Sequence, residues 1–177
     1  MSRTSGIDSN PEVSWCLNWG ARVMPRGGVS FRIWAPAATS LAVKLESSSG
    51  SPVQMERDDD GIFEVTVPEI GPGADYFLVF EDGRERPDPF SRWQPRGVHG
   101  PSRVVDPDEF VWSDGNWAGL PLEDHILYEI HVGTFTPQGT FEAIIPRLPE
   151  LRELGVTALQ LMPVAEFPGT RNWGYDG

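Results

Sequence analysis

The chain has 177 residues, enough for one large or two small domains, and an ordinary soluble composition apart from 17 Pro, 19 Gly and 7 Trp. A formal net charge of −12 would repel a polyanionic backbone, which argues against nucleic acid as a partner and leaves a neutral substrate compatible. Cys16 is the single cysteine, so an intramolecular disulfide and a Cys-rich zinc site are excluded, and no run approaches the ~18 apolar residues of a membrane span.

Residues 1–12 are polar and read as a disordered tail. They lack the apolar stretch of a signal peptide, so a cytoplasmic location is expected. From about residue 15 to 105 the pattern has period two. Val29, Phe31 and Ile33 alternate with Ser30 and Arg32; Leu41, Val43 and Leu45 alternate with Ala42 and Lys44. Phe63, Val65 and Val67 alternate with Glu64 and Thr66, and Tyr76, Leu78 and Phe80 share one face. Such runs put one face in a core and the other in water. Turn residues separate them, and Asp82-Gly83 predicts a tight hairpin. Short strands at this spacing predict an antiparallel β-sandwich over residues 13–106.

Residues 87–125 are rich in Pro, Gly and Trp and carry little periodicity. They predict a connector that packs against both neighbours, with the linker proper at 107–125. The stretch 126–132 is nearly continuous apolar sequence, with Glu129 and His131 inside it, and 157–162 is a second such run. Near-continuous apolar strands flanking a helix predict parallel pairing covered on both faces. Phe141, Ile144, Ile145, Leu148, Leu151 and Leu154 recur at helical spacing, with Thr140 as N-cap and Gly155 after the last turn. Pro146 and Pro149 predict a broken start, with the regular helix from near Pro146 and Pro149 in its first turn. Residues 126–177 therefore read as one βαβ unit followed by an aromatic-rich loop.

There is no Walker loop and no GxGxxG, and His99, His125 and His131 show no metal-ligand spacing. No metal, nucleotide or redox cofactor is expected. Glu129 and His131 have the same strand parity and could face one side of the sheet. A structural network suits them better than a catalytic pair, because buried charge must be partnered. The loop after the second strand concentrates Glu166, Arg171, Trp173, Tyr175 and Asp176. Loops at the C-terminal ends of parallel barrel strands build active sites.

YEIHVGTFTPQGTF followed by LGVTALQLMPVAEFPGTRNWGYDG closely resembles the start of the catalytic barrel of the malto-oligosyltrehalose trehalohydrolases, in the α-amylase superfamily of glycoside hydrolases. VSFRIWAPAATSLAVKL and PDPFSRWQPRGVHGPSRVVD resemble that family's N-terminal sandwich and connector, so the likeness covers roughly 14–177. The fold class this implies is β plus α/β: an immunoglobulin-like, glucan-binding-type sandwich, then the first βαβ unit of a truncated TIM (β/α)8 barrel over 126–177. Such a barrel takes about 250 residues, so the chain is expected to be an inactive N-terminal fragment.

The reaction the resemblance implies is hydrolysis of the α-1,4 bond next to the terminal trehalose of maltooligosyl trehalose, releasing trehalose. It proceeds with retention, through a nucleophilic carboxylate and a carboxylic general acid. In the family these come from later strands, so none of Glu129, Glu142, Glu150, Glu153, Glu166 or Asp176 inherits either role. Tyr175 matches the tyrosine that forms a stacking platform for the sugar, and Trp173 and Asp176 are further substrate-binding candidates. The implied partners are maltooligosyl trehalose or a related α-glucan, with functional pairing to a maltooligosyl trehalose synthase. A branching or debranching enzyme is the nearest alternative, although a branching enzyme typically continues with Glu-His-Pro and GYQ where this chain has Glu166-Phe167-Pro168 and Gly174-Tyr175-Asp176. A non-catalytic glucan-binding module with exposed sandwich Trp is another. Trp34, inside a regular strand, and Trp15 and Trp19, in a segment that looks packed, speak against strong binding there.

Overall fold

The computed structural model describes residues 18–173 and Tyr175; the tail expected over 1–12, Trp15, Cys16 and Asp176 lie outside the described residues. Among the described residues nine strands come first: β1 (Gly20–Val23), β2 (Val29–Trp34), β3 (Leu41–Leu45), β4 (Val53–Gln54), β5 (Glu56–Arg57), β6 (Ile62–Val67), β7 (Asp75–Phe80), β8 (Glu85–Arg86) and β9 (Ser102–Arg103). They form two antiparallel sheets, ordered β1-β2-β6-β5 and β4-β3-β7-β8, with β9 also on β7.

The alternation in sequence sets this arrangement. Phe31 pairs with Val65 and Ile33 with Phe63, which aligns the apolar sets of β2 and β6. In the other sheet Val43 pairs with Leu78 and Leu45 with Tyr76. Phe31, Ile33, Val43, Phe63, Tyr76 and Leu78, with Ala21, Val29, Leu41, Met55, Val67 and Val104, make one buried core, and Val65 and Leu45 pack half-buried against it. The rings of Phe31 and Tyr76 meet edge-to-face at 4.8 Å across it. Such burial is the main stabilising contribution of a sandwich. The expected hairpin closes through Phe80 N–H to the Arg84 carbonyl (3.0 Å), with Gly83 at φ 78°, a conformation that favours glycine.

Residues 88–104 are part of the sandwich rather than a connector shared between two neighbours. Asp88, Pro101, Ser102 and Val104 are buried, and Arg92 donates to the carbonyls of Ala21 (2.7 Å) and Trp19 (3.2 Å). By contrast, residues 107–125 are exposed throughout, which corrects the expectation that this stretch packs on both sides. Asp106 caps a 3₁₀ turn at Pro107–Glu109, and Phe110, Trp112 and Trp117 point outward. Apolar residues without a regular period present no single face to bury.

One ion pair carries a pH dependence. Asp75 and Arg103 face each other across β7 and β9, and the guanidinium donates through Nε (2.6 Å) and NH2 (2.8 Å) to the two carboxylate oxygens. That bond holds the Asp75 carboxyl below the ordinary aspartate range. A depressed carboxylate contributes stability above its unfolded value and loses it as pH falls through its folded value. Asp75→Asn should therefore flatten the acid limb of stability below about pH 4, at a cost of about 1 kcal/mol near neutrality for a partly exposed pair. Urea midpoints measured from neutral pH downward check this; an unchanged acid limb would exclude it.

The second region begins at β10 (Leu127–Ile130), continues through α1 (Val132–Phe135), α2 (Phe141–Ile144), a 3₁₀ turn at Ile145–Arg147 and α3 (Leu148–Glu153), and ends at β11 (Ala158–Leu161). β10 and β11 are parallel, in register from Leu127↔Ala158 to Ile130↔Leu161. The Thr140 hydroxyl oxygen accepts from Ala143 N–H (3.3 Å), and Gly155 follows α3 at φ 98°, as the sequence predicts. Pro146 sits inside the 3₁₀ turn and Pro149 in the first turn of α3, so the regular helix starts at Leu148.

The core here is small: Ile130, Ile144 and Leu151, with Val132, Phe135 and Val156 against it. The expectation of strands covered on both faces is corrected, because Leu127, Leu159 and Leu161 are exposed. Helices supply the packing for Ile130, and nothing among the described residues buries these leucines.

Candidate functional site

Because β10 and β11 are parallel, their C-terminal ends open on one side, and both following loops leave there. A cavity of about 780 Å³ lies between these loops. His131, Gln138 and Phe141 line it from one loop and helix, and Met162, Arg171 and Trp173 from the other. The first loop is braced by Thr136, whose carbonyl and hydroxyl oxygens both accept from Gly139 N–H at 3.1 and 3.2 Å.

The predicted site residues do not all converge. Trp173 lines the cavity and is 85% exposed. Tyr175, two residues on, is 70% exposed and is not among the lining residues. Asp176 lies outside the described residues. Gln138 and Met162 were missed from sequence; their only signal was position, just beyond the ends of the two strands.

His131 differs from expectation. It stands one residue beyond β10, at the N-cap of α1, rather than inside a buried strand. The chain turns into α1 there, so Glu129 remains on the strand, exposed, and the two share no hydrogen bond. His131 Nε2 lies 3.0 Å from the Asn172 carbonyl oxygen, while Nδ1 is buried with no partner among the described residues.

The cavity wall combines aromatic faces, amide groups and one guanidinium, with no carboxylate among its described lining residues. Such a wall suits a neutral polyhydroxyl ring, whose apolar face stacks on an aromatic and whose hydroxyls meet polar tips. Glycoside cleavage needs two facing carboxylates about 5–5.5 Å apart in a retaining enzyme, and the described residues of this wall do not provide them.

The sandwich presents a second set of aromatics. Trp34 ends β2 and is 56% exposed, so its place in a regular strand does not hide it. Trp19 is more enclosed: it stacks on Phe90 at 5.5 Å, and the Arg32 guanidinium lies 4.9 Å from its ring.

Residues 18–93 match carbohydrate-binding module 48, the isoamylase N-terminal domain. A malto-oligosyltrehalose trehalohydrolase from Deinococcus radiodurans is 48% identical over 184 aligned positions, covering 100% of this chain and 30% of the relative. One from Saccharolobus solfataricus is 48% identical over 150, covering 85% of this chain and 26% of the relative. The chain is a homologue of the N-terminal part of the malto-oligosyltrehalose trehalohydrolases. A crystal structure described as a putative alpha amylase from Salmonella typhimurium superposes with a TM-score of 0.84 at 45% identity, covering 92% of this chain and 27% of that one. The chain thus spans between a quarter and a third of the length of the trehalohydrolases it matches. No helix among the described residues is long and apolar enough to cross a membrane.

Proposed function

We propose that this chain is the N-terminal part of a glycoside hydrolase that cleaves the α-1,4 bond next to the terminal trehalose of maltooligosyl trehalose. Residues 13–106 are its carbohydrate-binding-module sandwich, 107–125 a linker, and 126–177 the opening βαβ unit of a (β/α)8 catalytic barrel. The observation that carries this reading is the cavity at the C-terminal ends of a parallel strand pair, where barrel enzymes place their sites. The loop that closes it leads through Trp173 to Tyr175, the sugar platform in this reading, with Trp173 and Asp176 as further contacts. The enzyme works in the cytoplasm and takes its substrate from a maltooligosyl trehalose synthase. Later strands supply both carboxylates, so the 177 residues alone bind but do not turn over.

A chimera tests this: residues 1–177 joined to the remaining part of the Deinococcus radiodurans relative, with folding confirmed by circular dichroism. It should release trehalose from maltooligosyl trehalose, whereas the 177-residue chain should release none. Tyr175→Ala in the chimera should lower kcat/KM at least about tenfold through loss of stacking. New α-1,6 branches in place of trehalose, or turnover by the 177 residues alone, would sink the proposal.

A further inference from the structure

We propose that His131 is the positioning residue of the aromatic loop: its ring holds the Asn172 carbonyl and thereby sets the peptide plane from which Trp173 reaches the cavity. This deepens the sugar-site reading above and rests on it for its functional meaning.

The geometry is specific. The bond joins residues 41 apart in sequence, from the end of β10 to the tip of the second loop. A carbonyl oxygen only accepts, so Nε2 carries the proton and donates. That carbonyl belongs to the peptide linking Asn172 to Trp173, so fixing it limits rotation about the Trp173 backbone. The holder is itself anchored. The His131 carbonyl accepts from Thr134 N–H (3.1 Å) and Phe135 N–H (3.0 Å), which ties its backbone to the first turn of α1. On the ring side, a Cβ built on Gly133 would come within 3.1 Å of His131 Cε1, so the ring lies directly over a residue with no side chain. The other ring nitrogen, Nδ1, is buried and without a partner among the described residues. The polar contact shown for this ring is therefore directed at the loop and not at its own segment. The strand ladder ends with Met162 N–H donating to the Ile130 carbonyl (3.0 Å), and the His131 bond returns the chain to the same edge ten residues later.

Two substitutions separate positioning from filling space. A glutamine amide reaches about as far as Nε2 and can donate to the same carbonyl; an asparagine amide reaches only as far as Nδ1. In the 177-residue chain, His131→Asn should speed hydrogen exchange of a peptide covering 168–173 at least about tenfold, and His131→Gln should stay within about threefold of the parent. Long-range proton–nitrogen spectra of the unsubstituted chain should show the Nε2–H tautomer at His131. His125 gives the internal contrast, because its Nδ1 lies 2.8 Å from the Pro121 carbonyl and should carry the proton there. The Nδ1–H tautomer at His131, or equal exchange in the two variants, overturns the proposal, and the tautomer result stands even if a variant misfolds. Maltotriose should shift the Trp173 indole N–H signal in the parent and His131→Gln chains and not in His131→Asn. If the parent shows no maltotriose shift while the tautomer and exchange results hold, the sugar-site reading fails and the positioning role stands.

Discussion

Asp88→Ala is expected to lower the unfolding temperature of the sandwich by about 15 °C, an effect of about 3 kcal/mol at roughly 5 °C per kcal/mol for a domain of this size. Asp88 is 3% exposed, and its carboxylate satisfies one buried and one half-buried donor. Oδ2 accepts from the Tyr76 hydroxyl at 2.6 Å, and Oδ1 accepts from Phe90 N–H at 2.8 Å. Its own backbone N–H donates to Ser102 Oγ at 2.8 Å, a bond alanine would keep. Removing the carboxylate leaves two donors without their acceptor, each costing about 1–3 kcal/mol. The Tyr76 phenol carries its proton at neutral pH in any case, and burial, then the adjacent Asp88, push it well above its ordinary range.

The same site sets a second pH dependence, opposite in sign to that of Asp75. Burial raises the Asp88 carboxyl, against the Tyr76 hydroxyl, Phe90 N–H and Arg92, which act to lower it. The folded chain then holds this proton more tightly than the unfolded chain. Its contribution is full below the ordinary aspartate value and declines as pH rises through the folded value. Asp88→Asn should remove that decline just above about pH 4. Differential scanning calorimetry on both variants checks the pair of statements. A melting temperature for Asp88→Ala within a few degrees of the parent would mean that other groups satisfy Tyr76 and Phe90.

How far the sequence reaches is clear from these residues. The four longest sandwich strands were legible because Val29, Phe31 and Ile33, and their counterparts to Leu78, repeat every second residue. β4, β5, β8 and β9 have two residues each, too short to show a period. The Asp88–Tyr76–Ser102 network was not legible for a different reason. It buries polar groups through bonds between residues 12 and 14 apart, and apolar patterning cannot register them. α1 was missed because Val132, Gly133 and Thr134 are weak helix formers, and tertiary context decided that turn. In the candidate site, the aromatic loop was visible through its resemblance to a known family. The cavity was not, since it depends on the parallel register Leu127↔Ala158 and on a bond from His131 to Asn172. Trp173 could be named from the sequence; what holds it could not.

Ile130→Ala should unfold the second region and leave the sandwich intact. Ile130 is 1% exposed and, among the described residues, is one of three buried side chains in that core. Replacing a buried isoleucine by alanine costs about 2–5 kcal/mol. A core in a unit this small rarely supplies more than about 3–5 kcal/mol, so the loss consumes most or all of its stability. The two cores are separate clusters, so the melting of Phe31, Tyr76 and their neighbours should hardly move. Hydrogen exchange read by mass spectrometry distinguishes the outcomes. Peptides within 127–161 should exchange like an unstructured chain, and those within 29–80 should keep their protection. Ile130→Val, which costs about 0.5–1.5 kcal/mol, should fall between. The consequence reaches the cavity directly. The Ile130 carbonyl accepts the last ladder bond from Met162 N–H, and the next residue is His131, which holds the aromatic loop. Alanine keeps that carbonyl, so the side chain acts on the strand end and the loop clamp only through the packing that holds the unit folded. In the chimera, where a completed barrel enlarges this core, Ile130→Ala should lower trehalose release while the sandwich still melts at its own temperature. Simultaneous loss of protection in both regions would instead show one cooperative unit, and persistence of protection within 127–161 would show that the three-residue core is not what holds the unit.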